Sequence, residues 1–123
     1  MIVRAKDLNN YYMFQIGKKH IVPHRRISYP KIKSDSTNKD ITEIEFQTGW
    51  QIFNDLKVEL TKELDDWFVG RIKVNGQSVH LYINDSLVLH HESFLETPKG
   101  KIGFRCDGHE TGYIKEVNVR LKI

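Results

Sequence analysis

The residues able to do chemistry in this chain are few, and their spacing limits what they can do. Glycoside hydrolysis needs two carboxylates held about 5–10 Å apart, which along one strand means acidic residues at alternate positions. Glu43 and Glu45 have that spacing, whereas Asp65 and Asp66 are adjacent and would point to opposite strand faces; Asp107 and Glu110 are the other close pair. A glycosidase built on Glu43 and Glu45 is therefore the enzymatic reading. Nucleophilic catalysis has less support, because no G-x-S-x-G occurs and Cys106 has only Asp107 and His109 beside it. Of the six histidines, His20 and His24 are four apart but flank Pro23, which argues against a helical zinc pair, and His90 and His91 are simply adjacent. The oxygen-rich turns Asp7 to Asn10 and Asp107 to Glu110 could offer ligands to a structural Ca²⁺, although turn chemistry alone explains them. No glycine-rich phosphate loop is present, and no cofactor is expected.

A second constellation suits binding. Alternation along 71–74, 79–83 and 102–105 puts Ile72, Val74, Val79, Leu81, Ile83, Ile102 and Phe104 on one side, joined in the core by Phe14 and Ile16. The other side then carries Arg71, Lys73, His80, Tyr82, Asn84, Gly103 and Arg105. If these strands share one sheet, guanidinium, imidazole and phenol groups form an outward patch. Such a patch suits sugars, since aromatic faces stack on pyranose C–H faces while Arg, Asn and His hydrogen-bond hydroxyls. Cross-strand pairing on a solvated face is the plainer explanation and needs no ligand. Trp50 and Trp67 could also be stacking platforms, but packing in the core is the expectation for a small β-domain.

Short strands must position these groups. Asn75-Gly76 is a favoured hairpin turn joining Trp67–Val74 to Ser78–Ile83, and Asn84-Asp85-Ser86 leads into Leu87–His91. Pro98-Lys99-Gly100 precedes Ile102–Cys106, and Tyr113–Ile123 has the period-two pattern of a closing strand. Toward the N-terminus, Ile2–Ala5, Tyr11–Ile16 and Ile21–Ile27 read as strands, while Ser28–Asp40 reads as an exposed loop. Between Glu43 and Asp66, helical and strand periods overlap; strand with a short helical turn is the expectation. The fold class expected is all-β, an antiparallel two-sheet sandwich.

The bulk properties agree with one domain over residues 1–123. Charge is nearly balanced, with 19 Lys and Arg against 16 Asp and Glu, and the basic residues form no long run. Nucleic acid is therefore not an expected partner. No apolar run approaches the ~18 residues of a membrane span. A single cysteine and the lack of a signal-peptide pattern point to the cytoplasm, or to a chain cut from a longer protein.

Two stretches carry a family resemblance: Arg4-Ala5-Lys6-Asp7-Leu8-Asn9-Asn10-Tyr11-Tyr12-Met13-Phe14-Gln15-Ile16 with Pro23-His24-Arg25-Arg26, and Ile72-Lys73-Val74-Asn75-Gly76 through Leu81-Tyr82-Ile83-Asn84 to Gly100-Lys101-Ile102-Gly103-Phe104-Arg105. The chain resembles the concanavalin-A-like (laminin-G-like) sandwiches, and among them the accessory modules of bacterial α-L-rhamnosidases. The resemblance implies a jelly-roll that is not an enzyme on its own and serves the catalytic domain of a parent glycoside hydrolase by binding carbohydrate or as a structural spacer. It implies Arg4 and Tyr12 as concave-face positions, which join His80, Tyr82 and Arg105 as the candidate ligand-binding residues. The family pattern has a strand ahead of the R-A-x-D motif, and here only three residues precede it. A fragment with an open sheet edge, suited to strand exchange or homodimerisation, is the corresponding expectation.

Overall fold

The computed structural model describes residues 1–34, 42–96, 99–106 and 112–120. Among the described residues, nine strands build two antiparallel sheets with a single 3₁₀ turn at Asn54–Leu56. The large sheet contains β1 (Ile2–Asp7), β2 (Asn10–Ile16), β3 (His20–Ser34), β4 (Thr42–Ile52), β5 (Val58–Glu59) and β9 (Lys101–Gly103). Its order is β4-β3-β2-β1-β9, with β5 also paired to β3. The small sheet is β6 (Gly70–Asn75), β7 (Ser78–Ile83) and β8 (Ser86–His91), in that order. The all-β, two-sheet expectation therefore holds.

Alternation decides which side chains meet between the sheets. Val3, Tyr12, Phe14 and Ile21 from the large sheet join Val79, Leu81, Ile83 and Leu89 from the small one in a single buried cluster with Leu95. Phe94 plugs one side of it, its ring 5.2 Å from Tyr12, 5.9 Å from Phe14 and 5.0 Å from Phe53. Edge-on aromatic contacts of this kind add about 0.5–1.5 kcal/mol each beyond area burial. The segment after β8 is anchored by the Phe94 and Leu95 amides, both donating to the Gln77 carbonyl.

The turns follow local chemistry. Asp7 Oδ1 accepts from the Asn9 amide at 2.7 Å and from Asn10 Nδ2 at 2.9 Å, closing the β1–β2 hairpin. The Asp7 carboxyl is held below its ordinary range, first by the Asn10 side chain and then by the Asn9 amide. Its oxygens are thus occupied by the turn. In the β6–β7 hairpin, Asn75 pairs with Ser78, so the turn residues are Gly76 and Gln77, one step beyond the expected Asn75-Gly76. Gly76 takes φ +57° there, where a side chain would be strained. Asn84 and Asp85 both have positive φ in the β7–β8 turn, a conformation these two residue types tolerate well.

Several expectations are corrected. Ser28–Ser34 is strand, not loop, because the β3–β4 ladder runs on from His24↔Ile52 to Ser34↔Thr42. The backbone ladder sustains this ribbon, and the register sets Ile32 opposite Ile44, two good strand formers. The rest of the expected loop, 35–40, lies outside the described residues. Each proline of β3 pairs on one side only: Pro23 opposes Phe14 and falls between Ile21↔Val58 and His24↔Ile52 on its other side, and Pro30 opposes Phe46 beyond the last β2 pair, Tyr11↔Arg26.

The expected closing strand is absent from the described residues 112–120, where Tyr113, Ile114, Val117 and Val119 are exposed. Period two gives a segment a strand-like face but no ladder partner, and none is present here. Ile102 and Phe104 are likewise half exposed rather than core, because β9 is a three-residue edge strand. Val74 is also partly exposed, at the open end of its hairpin.

Candidate functional site

The outward patch expected on one sheet is split between two. β9 pairs with β1 and not with β6, β7 or β8, so Arg105 lies with the large sheet while His80 and Tyr82 lie on the small one.

On the outer face of the small sheet, the register aligns Lys73, His80 and His90 in one row and Arg71, Tyr82 and Leu87 in the next. The rows are built by alternation: Ile72, Val79, Leu81 and Leu89 point inward and force these residues outward. The His80 and His90 rings are stacked, with centroids 4.0 Å apart and planes within 15°. Tyr82 is nearly parallel to His80 at 6.4 Å, and the Arg71 guanidinium carbon lies 4.3 Å from the Tyr82 ring centre. Among the described residues these five side chains make no hydrogen bond and no ion pair, so their polar groups are free for solvent or a ligand. Partial desolvation, then the neighbouring His90 and Lys73 charges, lower the His80 pKa below its ordinary 6.5, against an opposing pull from Glu92.

Arg105 belongs to a different assembly. Its Nη1 donates to the Tyr11 hydroxyl at 3.0 Å, and its guanidinium carbon lies 5.1 Å from the Trp50 ring centre. Arg26 approaches the same ring at 5.0 Å, and Tyr11 and His24 meet it edge-on at 5.7 and 5.8 Å. The line Tyr11↔Arg26↔Trp50 across three strands places these groups together. Trp50 is therefore neither core nor bare platform: it is 37% exposed and engaged from several directions. Trp67, also expected in the core, is 60% exposed ahead of β6.

The remaining candidates separate further. Tyr12 is 1% exposed, with Arg25 5.1 Å from its ring and its hydroxyl accepting the Glu96 amide at 2.9 Å. It is a core residue, because its place in β2 points between the sheets, and this corrects its expected position on a ligand-contacting face. Arg4 adopts φ +54° within an irregularity of β1 and donates to the Gly76 carbonyl at 3.3 Å. Gly100 packs so closely on the Arg4 backbone that a Cβ there would overlap it. Arg4 thus links the two sheets near the β6–β7 turn.

For catalysis, Glu43 and Glu45 both fall in β4, and the register sets them opposite Lys33 and Lys31. Among the described residues there is no group of three or more His, Cys, Asp or Glu placed to hold a metal. Asp107 to Glu110 lies outside them. No helix among the described residues is long and apolar enough to cross a membrane.

One feature escaped sequence reasoning: an open cleft of about 440 Å³ between the 58–65 segment and the β7–β8 turn, bordered by Glu59, Glu63, Asp65 and Asn84. Backbone amides at Leu60 and Leu64, bonded to the Lys19 and Lys18 carbonyls, hold that segment in place. The overlapping periods of residues 43–66 did not announce it, because the cleft forms only where that segment meets the β7–β8 turn. Comparison with protein-family models, with curated proteins and with solved structures gives no match for this chain.

Proposed function

We propose that this chain is a non-catalytic carbohydrate-binding module of a carbohydrate-active protein, with the outer face of the small sheet as its binding surface. The observation that carries this reading is the pair of aligned rows that hold Arg71, Lys73, His80, Tyr82 and His90, exposed or half-buried and without hydrogen-bond partners among the described residues. A flat face built on strands presents donors at fixed spacing, which suits the hydroxyls of an extended saccharide. The jelly-roll, concanavalin-A-like form and service beside an α-L-rhamnosidase-type catalytic domain are the finer part of the same proposal, supported by the motif from Arg4 to Ile16. On this reading the chain supplies binding and the parent enzyme supplies the carboxylates. A glycan array tests it: the wild-type chain should retain a saccharide class that Tyr82→Ala loses, and silence of the wild type across the array would oppose it.

A second reading is an interaction sandwich without sugar affinity. Exposed Trp67, Val69, Tyr113, Ile114 and Val119 favour it, since apolar groups of that size suit packing against another domain or a second copy. Concentration-dependent light scattering, with and without Trp67→Ser, separates self-association from a monomer.

A further inference from the structure

The geometry of the small sheet points to a ligand class: we propose that its outer face takes an acidic saccharide, bearing carboxylate or sulfate groups, in preference to a neutral one. This rests on the carbohydrate-binding reading above and narrows it.

Neutral sugars bind aromatic surfaces largely by stacking, which requires a ring face open to solvent. Here each of the three rings already has one face covered: His80 and His90 face one another at 4.0 Å, and Arg71 lies 4.3 Å from the Tyr82 ring centre. The groups most abundant for a ligand are polar: the Tyr82 hydroxyl, the imidazole nitrogens, the Arg71 N–H groups and the Lys73 ammonium. These are mostly donors, and two of the groups carry permanent positive charge.

The two rows carry cations and no acid, with Glu92 just beyond β8 as the acidic neighbour felt by His80. None of Arg71, Lys73, His80, Tyr82, Leu87 and His90 is acidic, and neither cation forms an ion pair among the described residues. Desolvation is the first influence disfavouring protonated His80, followed by His90 from β8 and Lys73 from β6, while Glu92 just beyond β8 favours it. An anion seated between them reverses the balance, so protonation and binding help one another. Affinity accordingly rises as pH falls through the imidazole range.

Nucleic acid shares the negative charge, but single strands draw much of their affinity from bases stacked on open aromatic faces. With one face of each ring already taken by His80, His90 or Arg71, the open aromatic surface is reduced, which favours an acidic saccharide as the occupant.

The test is calorimetric titration of the intact chain with oligogalacturonate and its methyl ester, with sulfated dextran and plain dextran, and with a single-stranded oligonucleotide. Each is measured at pH 5.5 and 7.5. The acidic forms should bind at least tenfold tighter than their neutral counterparts, and several-fold tighter at the lower pH. Arg71→Gln and Lys73→Gln, made separately, should each weaken binding severalfold, while Lys57→Gln, in another part of the chain, should leave it unchanged. Carboxylate and sulfate arms together identify which anion is preferred. Equal binding of the ester and the acid overturns the acidic-ligand inference while sparing the carbohydrate reading; silence toward every saccharide overturns both. Tighter binding of the oligonucleotide, or an equal loss on Lys57→Gln, also rejects the inference.

Discussion

The two outer faces of this molecule use the same residue types to opposite ends. On the large sheet, Arg105 and Arg26 approach Trp50, Arg105 hydrogen-bonds Tyr11, and Tyr11 is only 7% exposed as a result. On the small sheet, Arg71, Tyr82, His80 and His90 lie in register yet keep their hydrogen-bonding groups unpaired among the described residues. The difference arises from neighbours. Tyr11 is flanked by β3 on one side and by Arg105, arriving past β9, on the other, whereas Tyr82 lies in a sheet of only three strands. Arg, His and Tyr on a strand face therefore carry no functional meaning until their partners are known.

Substitutions can break or sharpen that contrast. The largest effect is expected for Tyr11→Ala, about 3 kcal/mol lost in urea unfolding, because a nearly buried ring leaves a cavity. Saccharide binding by the small sheet should survive it. Arg105→Met should cost roughly 1 kcal/mol, through one hydrogen bond and an exposed cation–π contact. Tyr82→Ala should cost less than about 1 kcal/mol, in the range of a cross-strand pair, while reducing saccharide affinity at least tenfold. A destabilisation by Tyr82→Ala matching that of Tyr11→Ala would make both faces structural and remove the contrast. Arg25→Met, which removes the 2.8 Å ion pair to largely exposed Glu96, should shift stability by under about 1 kcal/mol.

The smallest effect is pH-dependent. The His80 pKa lies below 6.5 in the folded chain, so between the folded and ordinary values the unfolded chain binds more protons. Stability should fall slightly as pH drops through that window, and His80→Gln should flatten the slope in unfolding curves recorded from pH 7.5 to 4.5. The Asp7 carboxyl has the same sign at lower pH: its lowered pKa contributes stability above 3.8 that is lost as pH falls through the folded value.

The strands most legible in the residues were those joined by short turns. Ser78–Ile83 alternates cleanly and its turns carry Gly76 and Asn84-Asp85, so the hairpins and the inward set Val79, Leu81 and Ile83 could be read directly. The strand with a short helical turn expected after Glu43 is present as β4 and the Asn54–Leu56 turn. Tyr113 to Arg120 shows why the same alternation can mislead: the pattern describes one face of a segment, and a strand also needs a partner for its backbone. The β3–β4 ribbon shows the reverse, a ladder formed where no apolar period announced it.

The candidate site was half legible for the same reason. The outward direction of Arg71, Lys73, His80 and Tyr82 follows from strand alternation, which is local and strictly period two. His90 joined them only through cross-strand register, and the β8 irregularity between Leu81 and Tyr82 sets which β8 residues meet the face. Arg105 left the group, and Tyr12 turned inward, because sheet membership and layer order are long-range choices. By itself the sequence determined the strands around tight turns, the inward and outward sets on each, and the balance of charge. Which strands became neighbours, and hence which arginines were engaged and which stayed free, was decided only by the tertiary structure, since pairing joins residues whose separation along the chain carries no periodic signal.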